Sequence, residues 1–167
     1  MSARPVFDLL AADGPVREDA AKLATFGQFV GSWDIRGIWY QLDGTRRTGK
    51  GEWHFDWILG GTGIQDVLFA SGAQPRQFGS TFRCYDKNND AWHLSWMQPA
   101  SGEFVNLIGR EIGDRVVCES ADSQPRRRWS FTEITADSFR WLGEVSQDNG
   151  ASWFLEQEMS AVRRRGP

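Results

Sequence analysis

The chain has 167 residues, 40% of them hydrophobic and 25% charged, with a formal net charge of -3; this is a one-domain length with an ordinary soluble composition. The acidic balance excludes the broad basic footprint of a nucleic-acid binder, since the short runs Arg126–Arg128 and Arg163–Arg165 each lie beside acidic segments. No window approaches the roughly 18 apolar residues of a membrane-spanning helix. The start, MSARPVFDLLAADGPVRED, lacks a basic region followed by a sustained apolar run, so no signal peptide and a cytoplasmic location are expected.

Residues 1–15 are small, polar and punctuated by Pro and Gly, which predicts a flexible N-terminal arm. The run 16–28, VREDAAKLATFGQ, is alanine-rich and places Val16, Ala20, Leu23 and Phe26 near one face, the pattern of a short helix covering one end of a larger structure. After Gly31 the periodicity switches to two. Strands are predicted at Ser32–Gln41, Gly51–Leu59, Gly63–Ser71, Gly79–Asp86, Ala91–Gln98, Glu103–Ile112, Arg115–Ser120, Arg126–Thr135, Ser138–Gln147 and Ser152–Val162. The breaks between them, such as Asp43-Gly44, Asn88-Asn89-Asp90 and Asp148-Asn149-Gly150, carry turn chemistry. Short turns between about ten strands mean an antiparallel meander, because parallel neighbours need long crossovers. Closure into a single barrel removes both exposed edges, so residues 16–165 are expected to form one all-β barrel domain that includes the helix.

Nine tryptophans and eleven phenylalanines must share one interior or line one cavity. Trp33 and Trp39, Trp53 and Trp57, and Trp92 and Trp96 are separated by even numbers of residues, so each pair points to one side of its strand. Trp129 joins Phe131, Trp141 joins Phe139, and Trp153 joins Leu155 and Met159. The opposite faces carry Glu52, His54 and Asp56, then His93 and Ser95, Arg140 and Glu144, and Glu156 and Glu158. That is an aromatic inside and a charged outside; a two-sheet sandwich gives the same alternation, so the pattern supports a one-sided β core and favours the barrel. Cys84 and Cys118 stand in separate strands without metal-type partners and read as buried free thiols. His54 and His93 fall on outward faces with no third ligand in register, so no metal site is expected.

Gly31-Ser32-Trp33, at the start of the first strand after a short helix, resembles the lipocalin-like (calycin) barrels. The wider pattern is similar to bacterial intracellular lipocalin-like proteins of unknown function: Trp57-Ile58-Leu59-Gly60-Gly61, Tyr85-Asp86 before Trp92 and Trp96, and Glu158-Met159 followed by arginines. The resemblance implies a barrel floor in which Trp33 packs beside Gly31 with an arginine of the last strand, Arg163 or Arg164, over its ring. Some ten-stranded relatives hold haem through a histidine of the last strand. Ser152–Val162 contains no histidine, so no cofactor is expected.

The segment Ser146–Trp153, SQDNGASW, matches an Asp-box in its letters, but a single copy reads as a hairpin with Asp148 accepting backbone N–H bonds. Function is sought in the interior at the end opposite Trp33. There Trp39, Trp57, Trp96 and Trp141 are expected to line a pocket, with Asn106, Arg110 and Gln157 orienting the polar group of a small, largely apolar or aromatic ligand. Asn106 and Arg110 share a face with Phe104 and Ile108, yet Val105 and Leu107 compete for the same interior. This reading predicts a cavity of a few hundred Å3. A second reading is a cofactor-independent cyclase, isomerase or lyase, with Asp66 as its catalytic carboxylate and Arg110 as electrostatic partner. A third is an interaction module that pairs outer sheet faces in a homodimer.

Overall fold

Ten antiparallel strands close into one barrel, each paired with its neighbours in sequence and β1 with β10. They are β1 (Gly31–Tyr40), β2 (Arg46–Ile58), β3 (Gly63–Ala70), β4 (Phe78–Asp86), β5 (Ala91–Gln98), β6 (Glu103–Ile112), β7 (Arg115–Glu119), β8 (Arg126–Thr132), β9 (Ser138–Ser146) and β10 (Phe154–Arg163). The computed structural model describes residues 4–72, 77–120 and 123–166; Met1–Ala3, the first residues of the expected arm, lie outside these. Alternation puts Trp33, Ile35, Trp53, Phe55, Trp129, Phe131, Phe139, Trp141, Met159 and Ala161 in the core.

The helix of residues 16–28 resolves into a 3-10 turn, Arg17–Asp19, and α2 (Ala20–Gly27). It caps the barrel end from which β1 starts. Phe26 and, just after the helix, Phe29 are fully buried there, with Phe29 4.7 Å from Phe131 and 4.9 Å from Phe139 between ring centroids. Polar ties hold the cap in place: Lys22 to Asp90 at 2.8 Å, Lys87 to Asp19 at 2.6 Å, and Thr25 Oγ1 donating to Glu111 at 2.7 Å. That end is shut by side chains.

Four expectations are corrected. Within the arm, residues 5–10 form a helix, α1 (Pro5–Leu10), and the chain after it lies against the barrel: Ala11 bridges Ile58, and the Ala12 N–H donates to the Trp57 carbonyl at 3.0 Å. Proline at the first helical turn and a few backbone bonds suffice for this local order. Strand β2 begins at Arg46 rather than Gly51, because its exposed polar start stands above the core and shows no apolar alternation. Cys84 is exposed on the outer face of β4, whereas Cys118 is fully buried. Burial pushes the Cys118 thiol up to about 12. In β10 a bulge lies between Leu155 and Gln157, so Leu155 pairs with outward-facing Glu144 and Gln157 with Gly143. The extra residue, Glu156, turns inward, and Trp153 packs under the Arg128 guanidinium at 4.1 Å rather than with Met159.

The Asp-box letters form a turn. Asp148 Oδ1 accepts from the Ser152 N–H at 2.8 Å and Ser146 Oγ at 2.7 Å, and Oδ2 accepts from Ser152 Oγ at 2.6 Å. These donors, Ser152 foremost, hold its carboxyl at about 2 against an ordinary 3.8. A depressed folded-state value means the stabilisation is complete above 3.8 and lost as pH falls towards 2. The melting-temperature gap between wild type and Asp148→Asn is therefore expected to be constant above about pH 5 and to close by about pH 2. A gap unchanged across that window would show that the hydrogen bonds do not favour the ionised form.

Candidate functional site

The floor sets the lower limit of the site. Gly31 has a φ of 124°, a conformation open to glycine, and a Cβ there would stand 2.6 Å from Arg163 Nη1. The guanidinium of Arg163 lies 4.1 Å over the ring of fully buried Trp33. It donates to the carbonyls of Val30 at 2.7 Å, Gln28 at 2.9 Å and Ala136 at 2.7 Å. Arg164 points the other way, to Asp34 at 2.5 Å and Glu52 at 3.0 Å on the outer face. One register step separates the two arginines, and the strand's period of two decides which meets the indole.

Above the floor sits a buried ion pair, Arg83 Nη2 to Asp66 Oδ2 at 2.6 Å, with the two residues 2% and 1% exposed. Asp66 Oδ1 accepts the Thr81 N–H at 2.9 Å, and Arg83 lies 5.2 Å from the ring centres of both Phe26 and Phe55. The carboxylate expected as a catalytic group is thus engaged by a guanidinium and a backbone donor. Its expected partner, Arg110, is exposed on the outer face of β6, so the pair does not form. Asn106 is also outside, accepting from Ser95 Oγ at 2.7 Å. Val105 and Leu107 claim the interior, and Phe104 is 70% exposed.

The next layer is a tryptophan cage around a cavity of about 70 Å3, lined among others by Trp53, Thr81, Arg83, Trp96, Trp129, Trp141 and Gln157. Trp129 stands 5.7 Å from Trp141 and 6.1 Å from Trp96. Glycines on the wall seat the rings: a Cβ on Gly79 would fall 1.9 Å from Trp96 Cη2, and one on Gly143 2.5 Å from Trp141 Cη2. Three polar atoms of the lining residues, Trp53 Nε1, Thr81 Oγ1 and Arg83 Nε, are buried without a hydrogen-bond partner. The enclosed space is far below the few hundred Å3 expected and has room for about two waters. Indoles and one arginine fill the rest.

That arginine is Arg127. Its Nη2 lies 3.1 Å from Glu103 Oε1 and its Nη1 2.9 Å from Glu156 Oε1, which links β6, β8 and β10 across the barrel. Trp96 Nε1 donates to the second oxygen of Glu103 at 3.1 Å. Beyond it opens a funnel of about 660 Å3, lined by Trp39, Tyr40, Pro125, Trp153 and Phe154, with Glu103, Arg127, Glu156 and Gln157 shared with the cavity below. Arg127 therefore stands at the constriction between the wide mouth and the small chamber.

Of the residues expected at the site, Trp96, Trp141 and Gln157 line the chamber, and Trp39 lines the funnel with its ring over Gly37 and Gly49. Trp57 is elsewhere, packed on Gly27 of the capping helix. Sequence reasoning missed Arg83, Thr81, Glu103, Arg127 and Glu156. The alternation Thr81-x-Arg83-x-Tyr85 held a signal for the first two, but Phe82 between them argued the opposite facing. Among the described residues no group of three His, Cys, Asp or Glu side chains could hold a metal ion. No helix there is long and apolar enough to cross a membrane.

No protein-family model and no curated protein matches the chain. Solved structures do. The S-type phycobiliprotein lyase CPES from Guillardia theta aligns with a TM-score of 0.60 at 12% identity, over 85% of this chain and 92% of that one. Rv2717c from M. tuberculosis aligns with a TM-score of 0.63 at 16% identity, over 87% of this chain and 99% of that one. At such identities the likeness is one of fold, and the fold is that of the lipocalin-like, ten-stranded closed barrels.

Proposed function

We propose that this chain belongs with the intracellular, bacterial-type lipocalin-like proteins and binds a small, largely apolar or aromatic molecule whose inner end carries a hydrogen-bond acceptor. The observation that carries this reading is the chamber walled by Trp53, Trp96, Trp129 and Trp141, with unpartnered polar atoms of Trp53, Thr81 and Arg83 buried within its wall. An unsatisfied buried donor costs about 1–3 kcal/mol. Trp53 Nε1 and Arg83 Nε can only donate and Thr81 Oγ1 can do so, so an occupant that reaches them is favoured if it accepts hydrogen bonds, as a carbonyl or ring nitrogen does. The indoles of Trp96, Trp129 and Trp141 supply stacking area. The chamber of about 70 Å3 is too small for an aromatic ring, so binding requires Arg127 to swing out and widen it towards the funnel.

Native mass spectrometry of the purified protein tests the reading. The expected spectrum shows a mass increment from a co-purifying small molecule that disappears on denaturation. Gly79→Ala, which drives the Trp96 ring out of its seat, is expected to remove the increment while leaving the barrel folded. An increment that persists in Gly79→Ala would place the molecule elsewhere. Bare protein in every preparation, with tryptophan emission unmoved by aromatic compounds, would sink the proposal.

A further inference from the structure

We infer that the mouth of the barrel selects a cationic group, so that the ligand is an aromatic compound with an acceptor at its buried end and an amine or amidine at its outer end. The inference rests on the binding reading above and concerns the other end of the same molecule. Arg127 shows what the mouth is built to hold. Its guanidinium is shared by two carboxylates, Glu103 at 3.1 Å and Glu156 at 2.9 Å, in a layer walled by Trp96, Trp129 and Trp141. Two carboxylates in a layer walled by indoles can hold a cation by charge-assisted hydrogen bonds.

The charges above the neutralised Asp66–Arg83 pair are uneven, with two carboxylates against one guanidinium. When Arg127 leaves, Glu156 loses its cation and Glu103 keeps only the Trp96 N–H, and a second cation restores the lost charge. An anionic ligand meets two carboxylates and no replacement for Arg127. A neutral one leaves both carboxylates without a counter-charge in a partly desolvated site. The exchange is cation for cation, with Arg127 released to the open groove that it also borders beside Pro125 and Ser123. Glu156 is present only because the β10 bulge inserts it next to Gln157, in keeping with the tendency of bulges to re-aim side chains at sites.

Three probes sharing a benzamide acceptor test this: 4-(aminomethyl)benzamide, 4-(hydroxymethyl)benzamide and 4-carbamoylbenzoate. Titrations are followed by the indole N–H resonances of the nine tryptophans. The amine is expected to bind at least about tenfold more tightly than the other two and to shift the cage tryptophans. Arg127→Ala, which removes the competing cation, is expected to strengthen amine binding by a further order of magnitude or so. Glu103→Gln combined with Glu156→Gln is expected to abolish the preference while the indole resonances stay dispersed. Equal or tighter binding of the alcohol or the benzoate would overturn the inference and leave the binding reading standing. If no probe moves an indole resonance, in the wild type or in Arg127→Ala, both fall.

Discussion

Replacing Asp66 by alanine is expected to cost about 3–5 kcal/mol of stability, because it strands the Arg83 charge inside the barrel. Arg83 is 2% exposed and has no other carboxylate among its recorded contacts: Asp66 at 2.6 Å, a weak 3.5 Å approach to the Thr81 carbonyl, and two phenylalanine rings. The cost is mostly that of an uncompensated ion rather than of a lost attraction, which gives the experiment a second arm. The double variant Asp66→Leu/Arg83→Met removes both charges and is expected to be more stable than Asp66→Ala, even though it changes more atoms. Urea denaturation of the three proteins measures the ordering. If Asp66→Ala loses less than about 1 kcal/mol, the pair is not dry in solution and the chamber is wetter than its geometry implies.

Trp33→Ala is expected to be comparably damaging, about 3–5 kcal/mol, through the volume it removes from a fully packed floor. The loss is not only of area. Trp33 Nε1 donates to the Phe29 carbonyl at 2.7 Å, its ring meets Phe139 at 4.7 Å, and Arg163 covers its other side. A double-mutant cycle of Trp33→Ala with Arg163→Ala is expected to show a coupling of about 0.5–2 kcal/mol from the stacked guanidinium. Arg163→Ala also frees three backbone carbonyls, so its own cost exceeds that coupling. Zero coupling would mean that the arginine serves the carbonyls alone. Neither residue touches the chamber, so variants that fold are expected to retain whatever binding the wild type shows.

The outer face explains why most charged residues contribute little to these predictions. Arg128 holds Glu144 through two contacts at 2.8 and 2.9 Å, and Glu158 accepts from Tyr40 at 2.5 Å and pairs with Arg140. Such ladders span neighbouring strands in partly exposed positions, where an ion pair is worth about 0–1 kcal/mol. They favour correct neighbours across β8, β9, β10 and β1, while the aromatic interior supplies the stabilisation. Interior charges behave differently. Asp66 and Arg83 are 1% and 2% exposed, and removing either strands the other's charge.

The sequence by itself determined the antiparallel meander order, the one-sided aromatic core and the helix before it, and it favoured closure into a barrel. These follow from a period of two and short turns that permit only antiparallel neighbours, while the floor was implied by the family resemblance of Gly31-Ser32-Trp33 and left Arg163 and Arg164 undecided. What only the tertiary structure decided begins where local parity fails. One inserted residue at Glu156 inverts the facing of everything before it in β10, and no property of that residue announces the bulge. In β6, Phe104 and Ile108 compete with Val105 and Leu107, and the register against β5 and β7 awards the interior to the second pair. Asp66 and Arg83 look like surface residues until adjacent strands bring them within 2.6 Å. The chamber is the clearest case. Its size is a small difference between the space inside the wall and the indoles that fill it, and such a difference exists only once all ten strands are in place.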